Sequence, residues 1–276
     1  MSFSLNSVGL VGCGNMGSAL LRGWLKHNFV ERIFIVAPHQ ESVLPYLNNN
    51  SIQWLEHPSQ LPHALDCVVF AVKPQILPSI LSDYQHLVSA ETLFISIVAG
   101  KSRAFFKKIL GDQAQIGRCM PNTPAAVGLG VTLAVSDPFL SSSHRSYIEK
   151  LMGAVGSVQW LEDEKMIDIG GALTGCGPAY IFQFIESLAE AALSCGFSLN
   201  KDTLGQLVQE MVVGSLGYLQ HSAKPVSVLR AEVTSPQGMT EAALNILKGS
   251  EGLTQLLSQA ITAAIQRAHE LGQNDR

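Results

Sequence analysis

Three glycines near the N-terminus, Gly12, Gly14 and Gly17, stand in the spacing G-x-G-x-x-G within VGLVGCGNMG. That spacing suits a turn that holds a pyrophosphate. The first glycine permits the tight exit from a strand, the second lets an anion approach the backbone, and the third lets the following helix lie close to the sheet. The N–H groups at the helix start then point at the anion. A second group lies far along the chain in VTSPQGMT, Val233 to Thr240. Here Thr234, Ser235, Gly238 and Thr240 supply hydroxyls and accessible N–H groups just before the apolar run AALNIL. A loop of this kind can hold a small carboxylate through backbone donors. By spacing alone it could equally be a capping turn, with Thr240 as the N-cap.

Positioning the first group requires a strand before it and a helix after it. Val8–Val11 is a short apolar run of the kind buried on both faces of a parallel sheet, and Ser18–Trp24 reads as a helix. Further strands are predicted at Arg32–Val36, Asp66–Val72, Leu93–Val98, Ala114–Arg118 and, last, Val131–Val135. Helical stretches such as Gln75–Tyr84 and His144–Met152 alternate with them, which is the doubly wound α/β pattern. The end of the second strand is Ala37, Pro38, His39 and Gln40, with no carboxylate to repel a 2′-phosphate. His39 can help hold one, so NADP(H) is preferred over NAD(H); in the alternative, Glu41 or a backbone group serves the ribose. Lys73-Pro74 follows the crevice strand, its lysine either near the cofactor or simply solvated. Small residues at Ala99-Gly100 leave room for a nicotinamide ring, and Met120–Pro124 forms a stiff loop at the same edge.

From Asp163 the strand signals stop. Helices are predicted at Asp163–Gly171, Ala179–Cys195, Asp202–His221, Met239–Lys248 and Thr254–Leu271, with Thr174–Pro178 interrupting the first two. The Ala179–Cys195 helix is apolar nearly all round, through Ile181, Phe182, Phe184, Ile185 and Leu188. Such a helix is buried on most faces, and in a small domain a second subunit supplies the cover; a larger monomeric bundle is the alternative. The predicted organisation is an N-terminal Rossmann-type doubly wound parallel sheet over residues 1–162 and an all-helical dimerisation domain over 163–276.

The composition is consistent with extensive burial: 47% of the 276 residues are hydrophobic and 14% charged, against a usual charged share of ~25%. A net charge of −4 argues against a nucleic-acid partner. The five cysteines are scattered without a C-x-x-C pair, as in a reduced, cytoplasmic protein. The eight histidines show no ligand spacing, so no metal site is expected. The start of the chain carries no basic segment of a signal peptide, and no apolar run reaches membrane-spanning length.

Together, VGLVGCGNMG, FAVKPQ, RCMPNTPA, LTGCGPAY and above all LRAEVTSPQGMTEAAL resemble the pyrroline-5-carboxylate reductase family over essentially the whole chain. The resemblance implies NADPH-dependent reduction of a cyclic C=N bond to give L-proline, in homodimers that can assemble further into decamers of five dimers. It places the pyrophosphate on Gly12, Gly14, Asn15, Met16 and Gly17. The resemblance gives the nicotinamide side to Ala71, Val72, Lys73, Pro74, Ile97, Val98 and Ala99; the ribose end stays with His39 and Gln40 on the strand-end reading above, and Asn122 completes the cofactor set. The imino acid falls to Val233, Thr234, Ser235, Pro236, Gly238, Met239 and Thr240, with Thr240 on the ring nitrogen. The chain departs from the family pattern at Cys176, usually serine, at Gln237, commonly glycine, and in 221–228, where a frequent glutamate is missing. A frequent asparagine also has no clear match near Glu56-His57.

The residue types suit an imine better than a ketone. A protonated cyclic imine needs positioning and a hydrogen bond at nitrogen more than a strong acid, and the loop offers hydroxyls but no Lys, His or Tyr. The β-hydroxyacid dehydrogenases place a lysine four residues after the second glycine of a G-x-G; counted from Gly175 and Gly177 that position is Ile181, which cannot donate a proton. A reductase of six-membered cyclic imino acids and a non-catalytic NADP-binding scaffold are the remaining alternatives.

Overall fold

A computed structural model describes residues 5–273. Eight strands form one sheet: β1 (Leu5–Val11), β2 (Val30–Val36), β3 (Ile52–Leu55), β4 (Cys67–Phe70), β5 (Leu93–Ser96), β6 (Gln115–Met120), β7 (Gly130–Ser136) and β8 (Gly156–Trp160). Their order is β3-β2-β1-β4-β5-β6-β7-β8. The chain reverses its direction of growth between β1 and β4, so the C-terminal ends of these strands flank the switch point where open α/β sheets bind ligands. All neighbours pair in parallel except β6 and β7. The segment between those two, 121–129, is too short for a parallel crossover, which takes a dozen or more residues.

The helices of this half are α1 (Asn15–His27), α2 (Leu77–Ile80), α3 (Arg103–Leu110), α4 (Ser142–Gly153) and α5 (Lys165–Gly170). Two apolar layers cover the sheet. One gathers Leu10, Ile35 and Val69 with Trp24 of α1 and Ile148 of α4. There the Trp24 indole donates to the Leu151 carbonyl at 2.8 Å, so its polar edge is satisfied on burial. The other gathers Val68, Phe70 and Phe94 with Tyr84 and Phe106. The Phe70 ring meets Tyr84 and Phe106 edge-on at 5.0 and 5.5 Å.

The predicted elements recur with corrections. The predicted last strand is followed by β8, and β3 is an addition too; both are edge strands with partly exposed side chains. Gln75–Tyr84 is no single helix. Four α-helical residues give way to a 3₁₀ stretch over Leu81–Leu87. Thr174–Pro178 does not interrupt the helices either: a π-helical turn, Gly171–Gly175, carries the chain from α5 into α6 (Gly177–Ser194).

The chain divides into two compact units, Met1–Cys176 with Ile265–Arg276, and Gly177–Ala264. After α6, the second unit contains α7 (Lys201–Ser222), α8 (Val226–Glu232), α9 (Met239–Leu247) and the start of α10 (Leu253–Gln273). Asn200 caps α7, its Oδ1 accepting from the Thr203 N–H at 2.8 Å. The core of this unit is small: Ala189, Leu204 and Val208, with Ile185 and Val212 against them. Many large apolar side chains remain exposed in the single chain, among them Phe182 at 63%, Leu207 at 49% and Leu216 at 51%.

Candidate active site

The carboxyl ends of β2, β1, β4, β5 and β6 lie side by side, so the loops leaving them form one edge. At its centre Gly12 has φ +89°, and a Cβ there would come within 2.8 Å of Val72 Cγ1 and 2.9 Å of the Ala71 carbonyl. The glycine turn therefore seats directly on the loop after β4. Gly17 is as close: a Cβ on it would meet the Gly12 carbonyl at 2.4 Å. Gly14 is different. It is exposed, and a Cβ on it would meet nothing within 4 Å, so the open space above it is available to a ligand. Gly14 is also the N-cap of α1 and offers no side-chain cap, and no acidic residue stands in the first turn. The N–H groups that open α1 are thus left for an anion.

On one side of this turn, Ala71, Val72 and Pro74 are half-buried, and Lys73 is exposed. Next along the edge, Ile97 is half-buried and Ala99 exposed, while the Val98 side chain is buried in the core and can offer only its backbone. On the other side, His39 and Gln40 lie exposed past the end of β2. Between these lies a cavity of about 280 Å³. Its walls include Gly12, Ala37, Pro38, Glu56, His57, Val72, Ile76 and Tyr84. Apolar walls with a few polar groups are the usual make-up of a small-molecule pocket. Burial keeps the Cys13 thiol of the glycine turn protonated, against a smaller opposing pull from Arg22.

In the second unit, Ser235–Gly238 is a tight turn closed by the Gly238 N–H on the Ser235 carbonyl at 3.0 Å. Pro236 and Gln237 occupy its centre, and Gln237 has φ +58°, as the third position of a type II turn demands. The Gln237 N–H donates to Glu241 Oε2 at 2.7 Å, and the Thr234 hydroxyl to the Arg230 carbonyl at 2.6 Å. Met239 and Thr240 open α9, both exposed.

A family model described as pyrroline-5-carboxylate reductase dimerisation matches residues 164–271. A second, described as NADP oxidoreductase coenzyme F420-dependent, matches residues 7–100. A curated pyrroline-5-carboxylate reductase from Pseudomonas aeruginosa is 32% identical over 268 residues, covering 96% of this chain and 97% of its own length. The chain belongs to the pyrroline-5-carboxylate reductase family. Solved structures agree. The Coxiella burnetii pyrroline-5-carboxylate reductase superposes with a TM-score of 0.87 at 31% identity, covering 97% of this chain and 99% of its own. The Plasmodium falciparum pyrroline carboxylate reductase, crystallised with NADP bound, gives 0.80 at 30% identity, covering 99% and 100%.

Within this pyrroline-5-carboxylate reductase family member, Thr240 is not the N-cap that spacing allows. That place is taken by Gly238, and Thr240 is the second residue of α9. Its hydroxyl therefore has no capping duty. Asn122 is buried with both ends of its amide engaged: Oδ1 accepts from the Val131 N–H at 2.8 Å and Nδ2 donates to the Thr174 carbonyl at 2.9 Å. It shapes the edge loop from within. Sequence reasoning passed over Ile76 and Tyr84 as walls of the cavity beside the glycine turn, and reached Glu56 and His57 only as the place where a frequent asparagine has no match. The signal was the unrecognised β3, whose carboxyl end delivers Glu56 and His57 to the same edge. Among the described residues no group of three His, Cys, Asp or Glu is placed to hold a metal ion, and no helix is long and apolar enough to cross a membrane.

Proposed function

We propose that this chain reduces the C=N bond of 1-pyrroline-5-carboxylate to give L-proline, with NADPH supplying the hydride from C4 of its nicotinamide to the imine carbon. The uncapped start of α1 above the open Gly14 supports pyrophosphate binding there, through Gly12, Gly14, Asn15, Met16 and Gly17. The adenosine half fits the cavity beside Ala37 and Tyr84, with His39 and Gln40 at the 2′-phosphate. Ala71–Pro74 and Ile97–Ala99 line the nicotinamide side. In the second unit, Val233–Met239 holds the carboxylate through the N–H groups that open α9, and Thr240 hydrogen-bonds the ring nitrogen. The observation that carries the assignment of Thr240 is its exposed place as the second residue of a helix whose N-cap position is Gly238.

The reaction asks little acid–base work of the protein. A protonated cyclic imine is already an electrophile, so catalysis is chiefly orientation plus one hydrogen bond at nitrogen. We place the work in a cytoplasmic homo-oligomer, with five dimers forming a decamer. Residues 1–162 serve the nucleotide, and residues 163–276 the imino acid and the subunit contact.

The deciding assay follows loss of nicotinamide absorbance on pyrroline-5-carboxylate, with NADPH and with NADH, and repeats it on the six-membered imino acid. The five-membered ring and NADPH should give the higher kcat/KM. Thr240→Ala should lower turnover several-fold or more with NADPH affinity unchanged. An unaltered rate would remove Thr240 from the mechanism, and no oxidation of either cofactor by the parent would end the reductase reading.

A further inference from the structure

Arg118 is the third link in a chain of side chains that the cofactor and substrate readings leave unused. It sits on β6, 3% exposed, in a strand otherwise filled by Ile116, Gly117 and Cys119. Its guanidinium reaches two carboxylates on one short segment: Nη2 donates to Asp168 Oδ1 at 2.7 Å and Nη1 to Glu164 Oε1 at 3.3 Å. Glu164 is held in turn by Arg103, whose backbone N–H and Nε donate to its two oxygens at 2.9 and 3.0 Å. Among the described residues Arg118 Nε finds no acceptor. A buried donor left unpaired is expensive to folding. Replacing a buried ion pair by well-packed apolar residues is often neutral or stabilising. An arrangement of this kind is better explained by the geometry it enforces than by stability.

What it holds is α5 and the π-helical turn after it. Asp168 lies on α5; Ile167 beside it is fully buried against Leu133 and Val135 of β7. Gly170 packs so closely that a Cβ would come within 2.2 Å of Leu133 Cδ1. The π turn follows at once, with the Cys176 N–H donating to the Gly171 carbonyl at 3.0 Å and the Thr174 hydroxyl to the Gly170 carbonyl at 3.0 Å. Its Thr174 carbonyl then receives the Asn122 amide. The circuit is closed: Arg118 leaves β6, grips α5, and the π turn at the far end of α5 returns to Asn122, four residues beyond Arg118. Single π turns inside α-helical stretches are frequent at functional sites.

We propose that Arg118 is a positioning residue for the reduction: through Asp168 and Glu164 it seats the π turn, whose Thr174 carbonyl fixes Asn122 and with it the Met120–Pro124 loop at the cofactor edge. It touches neither ligand. Its effect is on the orientation of the nicotinamide side, not on the anchoring of the nucleotide, because the glycine turn and the adenosine cavity stand on β1 to β4, away from the clamp. The inference rests on the reductase reading.

The test compares the parent oligomer with Arg118→Lys and with the triple variant Arg118→Met/Glu164→Gln/Asp168→Asn, which removes the buried guanidinium together with both of its carboxylates and leaves Arg103 paired with Asp137 at 3.5 Å. Three readouts are taken: steady-state kinetics, NADPH binding by fluorescence, and hydrogen exchange of the amides in 171–176. The expected result for the triple variant is a kcat at least tenfold lower, NADPH Kd within about twofold of the parent, and faster exchange at the π turn, with cooperative melting retained. Arg118→Lys, keeping the charge but losing the fork, falls between. A triple variant that melts cooperatively and turns over at the parental rate overturns the proposal. So does one whose kcat falls while the 171–176 amides stay as protected as in the parent. If the triple variant does not fold, the Lys variant decides by the same two criteria. A parent that fails to reduce the imine points instead to a failure of the reductase reading, and the exchange comparison still reports on the clamp.

Discussion

Gly12 and Gly14, two residues apart, do different work, and the difference can be measured. Gly12 has φ +89° and no room for a methyl group between Val72 and the Ala71 carbonyl. Gly12→Ala should therefore lower the unfolding free energy by about 2 kcal/mol or more, from left-handed strain plus overlap. Gly14 has φ −75°, ordinary for alanine, and nothing lies within 4 Å of a Cβ built there. Gly14→Ala should leave stability within about 0.5 kcal/mol of the parent. It should nevertheless weaken NADPH at least tenfold, about 1.4 kcal/mol, because the methyl stands where the pyrophosphate must approach the backbone. Urea unfolding and fluorescence titration separate the two. A Gly14→Ala protein that binds NADPH normally would place the pyrophosphate elsewhere. The spacing G-x-G-x-x-G made both glycines visible in the sequence. Arg118 stayed hidden, and Asn122 was legible only as a residue near the cofactor, because the partners that fix them, Asp168 and Thr174, lie about 50 residues away and no local pattern encodes such pairs.

The buried strands were readable because they are continuous apolar runs: CVVF and LFIS are wholly buried, and β1 and β2 are buried along their last four residues. β3 and β8 were not. IQWL and GSVQW mix polar and apolar residues on short edge strands, whose strand identity comes from a neighbour's hydrogen bonds more than from their own side chains. In the same way Gln75–Tyr84 carries helical periodicity, yet the structure tightens into a 3₁₀ stretch after Ile80 so that Leu81, Tyr84 and Leu87 all reach the core. The helix ends of the second half were legible to within a residue or two where a cap marks them, as at Asn200. The far end of α7 ends instead on Ala223 at φ +53°, a conformation that favours glycine. Ala223→Gly should relieve about 1 kcal/mol of left-handed strain. For a chain of this size that corresponds to a rise in melting temperature of ~2–4 °C. Calorimetry checks it, and an unchanged or lower melting temperature would mean that the strain is offset by contacts of the Ala223 methyl.

The low charge content, 14%, and the all-round apolar character of α6 point to more burial than one chain provides. In the second unit only a handful of side chains are buried, while Phe182 on α6 is 63% exposed and Leu207 and Met211 on α7 are 49% and 46% exposed. Apolar surface on that scale is removed from water by association, and the dimerisation model matched over 164–271 supports a homo-oligomer as the form that does so. Stability of such a protein is linked to its concentration, because a partner that binds only the folded state stabilises it by mass action. The melting temperature should therefore climb with protein concentration over the range in which the oligomer forms. Phe182→Glu, which would bury a carboxylate in the contact, should lower the mass seen by sedimentation and remove that concentration dependence. Loss of assembly should also lower the melting temperature, since the apolar faces of α6 and α7 return to water. If Phe182→Glu keeps the parental mass and melting curve, α6 does not contribute Phe182 to the contact, and the apolar side chains of α7 become the face to alter next.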